Sequence, residues 1–103
     1  MSSVVLDTAP LADREAALLA TPVTVCFSVH AAAEPGVMPR VLELFAKRGL
    51  VPQTWRSAAS ETALTIDVQM PGLEREVADY IARSMRQIVG VDAVLTSERH
   101  MTG

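Results

Sequence analysis

Cationic excess is missing from this sequence: nine Lys and Arg stand against twelve Asp and Glu, for a formal net charge of -3. That balance gives no electrostatic footprint for nucleic acid or for an anionic membrane, so neither is expected as a partner. Aromatic residues are also few, with one Trp, one Tyr and two Phe in 103 residues. No two of them are paired on the strands read below in the way an RNA-stacking sheet requires. Cysteine occurs once, as Cys26. It has no intramolecular disulfide partner and no Cys or His close enough in sequence to build a metal cluster, so no metal or other cofactor is expected and a reduced compartment is. Long apolar runs are absent too. No window approaches the roughly 18 apolar residues of a membrane span, and the start Met1-Ser2-Ser3-Val4-Val5-Leu6-Asp7 lacks a signal peptide's basic and apolar stretches. The chain reads as soluble and cytoplasmic.

What is present is enough for one core. Half of the residues are hydrophobic, and a chain of this length fits a single compact domain. Residues 1–20 form a weakly patterned N-terminal extension in which Thr8 or Asp13 can cap a short helix through Leu11, Ala16, Leu18 and Leu19. Val23, Val25, Phe27 and Val29 then alternate with Thr24, Cys26, Ser28 and His30, the period of two of a strand buried on one face. After the turn at Glu34-Pro35-Gly36, Val37, Val41, Leu44 and Phe45 share one side of a helix expected over about 37–48 and closed by Gly49.

A hairpin follows. Val51, Gln53, Trp55 and Ser57 alternate in its first strand, with Pro52 favouring an edge position, and Leu64, Ile66, Val68 and Met70 alternate in its second. Pro71-Gly72 is expected to break that strand. Leu73, Val77, Tyr80, Ile81, Ser84, Met85 and Ile88 have helical spacing, Gly90 ends the second helix, and Val91, Ala93 and Leu95 give a short last strand before a polar tail at 98–103. The order strand, helix, strand, strand, helix, strand predicts an α+β, ferredoxin-like βαββαβ sandwich. Its four-stranded antiparallel sheet has the order 4-1-3-2 and carries both helices on one face.

The run Glu34-Pro35-Gly36-Val37-Met38-Pro39-Arg40-Val41-Leu42-Glu43-Leu44-Phe45-Ala46-Lys47-Arg48-Gly49-Leu50 resembles the start of an ACT domain. There a Pro-Gly turn joins the first strand to the first helix, and an Arg-Gly pair leads into the second strand. The resemblance extends over about residues 22–97. Within that family, Phe45-Ala46-Lys47-Arg48-Gly49-Leu50 and Gln87-Ile88-Val89-Gly90-Val91-Asp92 resemble helix ends of the short, single-domain regulatory subunits of acetolactate synthase. The resemblance implies a regulatory module and not an enzyme. Such a module forms a homo-oligomer, a dimer first of all, acts on a larger catalytic subunit, and binds a free amino acid, here a branched-chain one.

A free amino acid needs donors for its carboxylate, acceptors for its ammonium group and a slot for its side chain. Backbone N-H groups of Gly36, Val37 and Met38 at the positive end of the first helix can supply the donors. Ala32, Ala33 and Gly36 leave room for approach, Glu34 can accept from the ammonium group, and Val37 and Met38 can line the slot. Effector-binding relatives carry Asp or Asn shortly before the Pro-Gly, where this chain has Ala31-Ala32-Ala33-Glu34. A purely structural dimerisation or subunit-stabilising module therefore stays open beside the effector-binding one. Trp55 offers a large aromatic area for the core or for an interface. His30 and His100 lack an acid or nucleophile partner, and Cys26 reads as a small buried thiol.

Overall fold

The computed structural model describes residues 23–100, so the helix expected near Thr8 and Asp13 and the last residues of the chain lie outside the described part. The elements run β1 (Val23–Ala32), α1 (Val37–Ala46), β2 (Thr54–Ala59), β3 (Ala63–Leu73), α2 (Arg75–Arg86) and β4 (Val91–His100). They build one antiparallel sheet in the order β2-β3-β1-β4, which is the ferredoxin-like βαββαβ arrangement.

The alternation in β1 decides which face is covered. Val23, Val25, Phe27 and Val29 are all buried, and β3 meets them with Leu64, Ile66, Val68 and Met70. Each fully buried side chain of this size contributes roughly 1.5–3 kcal/mol relative to exposure, so this row supplies a large share of the driving force. From the helices, Val37, Val41 and Phe45 of α1 and Ala78, Ile81, Ala82 and Met85 of α2 close the core. Phe27 and Phe45 meet edge to face, with ring centroids 5.7 Å apart. The opposite face of the sheet carries the polar parity, with Thr24, Cys26 and Ser28 beside Thr65, Asp67 and Gln69 of β3 and Thr54 and Arg56 of β2.

Helix α1 ends as its sequence predicts. Gly49 has φ +69°, the Gly49 N-H donates to the Ala46 carbonyl, and the Leu50 N-H reaches back to the Phe45 carbonyl. This is a Schellman ending, and half-buried Leu50 packs against the core beside it. Arg48 turns away from the helix end and lies 4.6 Å from the centroid of the Tyr80 ring on α2.

Several boundaries differ from the sequence expectation, each for a physical reason. Strand β2 begins at Thr54, and Val51 is 83% exposed in the connection before it. Pro52 has no N-H to give a ladder, which fits pairing that starts only beyond it. Pro71-Gly72 does not end β3 but forms a bulge inside it. Val25 pairs with Met70 and Val23 with Leu73, so one extra residue fits on β3, where Gly72 takes φ +75°. Leu73 thus belongs to the strand and not to α2.

On α2 the buried stripe is centred on Ala78, Ile81, Ala82 and Met85, while Tyr80 is 49% exposed. The two alanines let the helix approach the sheet closely. Strand β4 is also longer than expected and continues through His100, which pairs with Val23. An irregularity between His30 and Ala31 shifts its register, so Val94 is buried and Leu95, opposite Ser28, is 62% exposed on the helix-free face. Arg75 at the start of α2 pairs with Glu98 of β4 at 3.3 Å, and Arg86 at its end donates to the Val94 carbonyl at 3.0 Å.

Candidate functional site

Three connections meet at one end of the sheet, around the loop that follows β1. The Ala32 N-H donates to the Gly90 carbonyl in the α2–β4 turn (2.8 Å), and the Ala33 N-H donates to the Thr62 carbonyl in the β2–β3 turn (3.2 Å). The loop is therefore fixed on both sides. It then makes two tight turns, with the Glu34 N-H donating to the Ala32 carbonyl (2.8 Å) and the Val37 N-H to the Glu34 carbonyl (3.1 Å). Gly36, at φ -78° and ψ -12°, sits where any residue could sit. What it provides is space: a Cβ built on Gly36 would collide with Nη1 of Arg40.

Arg40 was not among the residues singled out from the sequence. Side chains on a helix lean toward its N-terminus over residues three and four before them, so Arg40, four after Gly36, was legible from spacing alone. Its guanidinium stands at the positive end of α1, where no backbone acceptor among the described residues takes the N-H of Gly36 or Met38. Glu34 faces the α2–β4 turn. Its carboxylate approaches Gly90 closely enough that a Cβ there would be 3.3 Å from Oε2. Gly90, with φ +98°, is the second residue that sequence reasoning used only as a helix end. No ion pair between Glu34 and Arg40 occurs among the described residues.

The remaining expected residues divide. Ala32, Ala33, Glu34, Gly36, Val37 and Met38 run from the end of β1 into the first turn of α1, and the N-H groups of Ala32, Ala33 and Val37 already have backbone partners. Val37 is also fully buried, whereas Met38 and Ala33 are half-buried at the margin of the core. Trp55 stands elsewhere, on edge strand β2 opposite Val68, half-buried against the core from the helix-covered side. Cys26 is only half-buried and lies on the helix-free face, 3.9 Å from an Arg99 nitrogen. His30 is exposed, with Nε2 3.3 Å from Ser28 Oγ. Among the described residues no group of three or more His, Cys, Asp or Glu could hold a metal ion. No helix there is long and apolar enough to cross a membrane.

A family model described as an ACT-like domain matches residues 17–102. The chain belongs to the ACT-like domain family. Such domains are generally regulatory and non-catalytic, and they commonly dimerise and bind amino acids. No curated protein matches the sequence.

Solved structures share the fold. The ACT domain of the GTP pyrophosphokinase of Chlorobium tepidum superposes with a TM-score of 0.67 at 13% identity, covering 75% of this chain and 100% of that one. An uncharacterized protein from Thermotoga maritima gives 0.63 at 14% identity, covering 75% and 96%. The C-terminal domain of the MgtC protein from Mycobacterium tuberculosis gives 0.57 at 15% identity, covering 77% and 89%. At these identities the likeness is one of fold. In this chain the β1–α1 loop and the first turn of α1, with Glu34, Gly36 and Arg40, lie at the end of the sheet where the turns converge.

Proposed function

We propose that this ACT-like domain is a non-catalytic regulatory module that forms a homodimer, binds a free branched-chain amino acid at the start of α1, and modulates a larger acetolactate synthase-like enzyme. The observation that carries the ligand reading is that opposite charges, Arg40 and Glu34, stand near the start of α1 without pairing with each other among the described residues. Arg40 and the Gly36 and Met38 N-H groups would take the carboxylate, and Glu34, beside Gly90, would take the ammonium group. Met38 and Ala33 offer apolar surface beside them. The enzyme partner and the branched-chain preference rest on the resemblance of the two helix ends, Phe45 to Leu50 and Gln87 to Asp92. Regulation would then be linkage: a ligand that binds one assembly better shifts the population toward it and alters the enzyme it touches.

One observation favours a second reading, a structural dimerisation or subunit-stabilising module without effector. The Ala32, Ala33 and Val37 N-H groups, which a bound carboxylate would otherwise use, are already bonded. Thermal unfolding of the purified protein with each of the twenty amino acids at millimolar concentration separates the two. A ligand at a hundredfold over its Kd adds about 2.7 kcal/mol to the folded state. For a domain of this size that is a rise of roughly ten degrees or more. A selective rise with valine, leucine or isoleucine, lost in Arg40→Gln and Glu34→Gln, supports the effector module. No rise with any amino acid removes the effector and leaves the structural module.

A further inference from the structure

The helix-free face of the sheet is not flat. Register sets its side chains in rows across the strands: Arg56 of β2, Asp67 of β3, Ser28 of β1 and Leu95 of β4 form one row, and in the next Cys26 stands between Gln69 and Ser97. Cys26 and Ser28 on the central strand are short, while Arg56, Gln69 and Leu95 on the flanking strands are longer. Together they line a hollow of about 540 Å³, within the roughly 300–1,000 Å³ of small-molecule sites. Its charges are not matched internally. Opposite charges set directly across two strands ordinarily attract each other. Arg56 and Asp67 are opposed in this way, yet among the described residues the ion pairs are Lys47 with Glu43 and Arg75 with Glu98. A second guanidinium reaches in from β4, where an Arg99 nitrogen lies 3.9 Å from Cys26 Sγ. The carboxylate of Asp67 stands on β3, between the strand that carries Arg56 and the strand over which Arg99 lies.

We propose that this hollow binds a small dicarboxylate bearing a hydroxyl between its two acid groups. Arg56 and Arg99 come from the two edge strands, β2 and β4. Guanidiniums entering from both margins suit two acid groups set apart better than a single phosphate, and each takes one carboxylate in a charge-assisted pair. Asp67 repels a plain dicarboxylate but accepts a hydrogen bond from a hydroxyl, so the one anion of the site selects the hydroxylated ligand. The Ser28 and Ser97 hydroxyls can donate to the remaining carboxylate oxygens. Leu95, 62% exposed on this mostly polar face, gives the ligand's carbon chain an apolar wall. The site uses neither Glu34 nor Arg40, so it stands or falls apart from the effector reading of the β1–α1 loop.

Isothermal titration calorimetry of the full chain with malate, succinate and inorganic phosphate at low salt reads the ligand class. Alkylation of Cys26, the single cysteine, by neutral iodoacetamide reads the place. Malate should bind, slow the alkylation, and lose affinity roughly tenfold or more in Arg56→Gln and in Arg99→Gln, with Arg40→Gln leaving it unchanged. In Asp67→Asn the preference for malate over succinate should shrink. Circular dichroism confirms that the variants fold, and every altered side chain is exposed. Neither heat nor protection of Cys26 with malate overturns the site. Malate binding that survives both variants of the hollow, leaves Cys26 as reactive as before, or is matched by succinate or phosphate in the unaltered chain overturns it too. Loss of malate binding in Arg40→Gln alone places the ligand at the β1–α1 loop, which overturns this inference and leaves the effector reading standing.

Discussion

Replacing Gly90 with alanine should destabilise the fold more than the same change at Gly49, although both residues have positive φ. At Gly49 the angle is +69° and a new methyl group would meet nothing within 4 Å. The cost there is the left-handed backbone alone, about 1–2 kcal/mol. At Gly90 the angle is +98°, outside the small left-handed well that other residues tolerate, and a Cβ would stand 3.1 Å from Cγ2 of Val37 and 3.3 Å from Oε2 of Glu34. The Glu34 carboxylate is on an exposed side chain and can swing aside. Val37 is fully buried and cannot. Strain at such a backbone position costs about 1–3 kcal/mol, and crowding a packed core adds about 1 kcal/mol or more.

The sum for Gly90→Ala is thus about 2–4 kcal/mol, which corresponds to a fall in Tm of roughly 10–20 °C, against about 5–10 °C for Gly49→Ala. Urea denaturation followed by circular dichroism measures both, with unchanged slopes required for the comparison. Should Gly90→Ala cost no more than Gly49→Ala, the tight seat of the α2–β4 turn on Val37 would be refuted, and with it the argument that this turn fixes the β1–α1 loop.

Other consequences can be measured on the same protein. The thermal shift with branched-chain amino acids and its loss in Arg40→Gln tests the loop. A double-mutant cycle on Phe27→Leu and Phe45→Leu should give a coupling of about 0.5–1.5 kcal/mol from the edge-to-face pair beyond the area each ring buries; urea denaturation of the four proteins measures it, and zero coupling would contradict the geometry. Glu98→Gln should change stability by less than about 1 kcal/mol, because its ion pair with Arg75 is partly exposed and screened by salt, and the same urea curves at low and high salt check this.

The alternation of Val23, Val25, Phe27 and Val29, the hairpin turn at Ser60 and the Gly49 helix end are local signals, and they carried the order of elements and the strand order of the sheet. The misplacements at Pro71-Gly72 and along β4 involve pairing partners. Pro71-Gly72 reads as a break in isolation, but β1 supplies Val25 and Val23 on either side of the bulge, so the strand continues through it. Val91, Ala93 and Leu95 read as one face, yet the irregular step opposite Ala31 makes Val94 the buried residue. No local pattern encodes a register shift set by a neighbouring strand. The loop residues were found through the Pro-Gly turn, and Arg40 and Gly90 were missed because that reading followed residues adjacent in sequence. Arg40 was within reach of helical periodicity; the approach of Gly90 to Glu34 depends on how two distant turns pack.

Strand β1 is the first described strand and lies between β3 and β4, so its last partner is also the last element of the fold. During synthesis Val23 to Ala32 leave the ribosome long before β4, and until β4 emerges one edge of the central strand has no partner. The domain can complete its sheet only once residues near His100 are clear of the exit tunnel. Truncation within β4 should therefore expose the most apolar strand of the chain at the edge, turning its central support into its most adhesive surface.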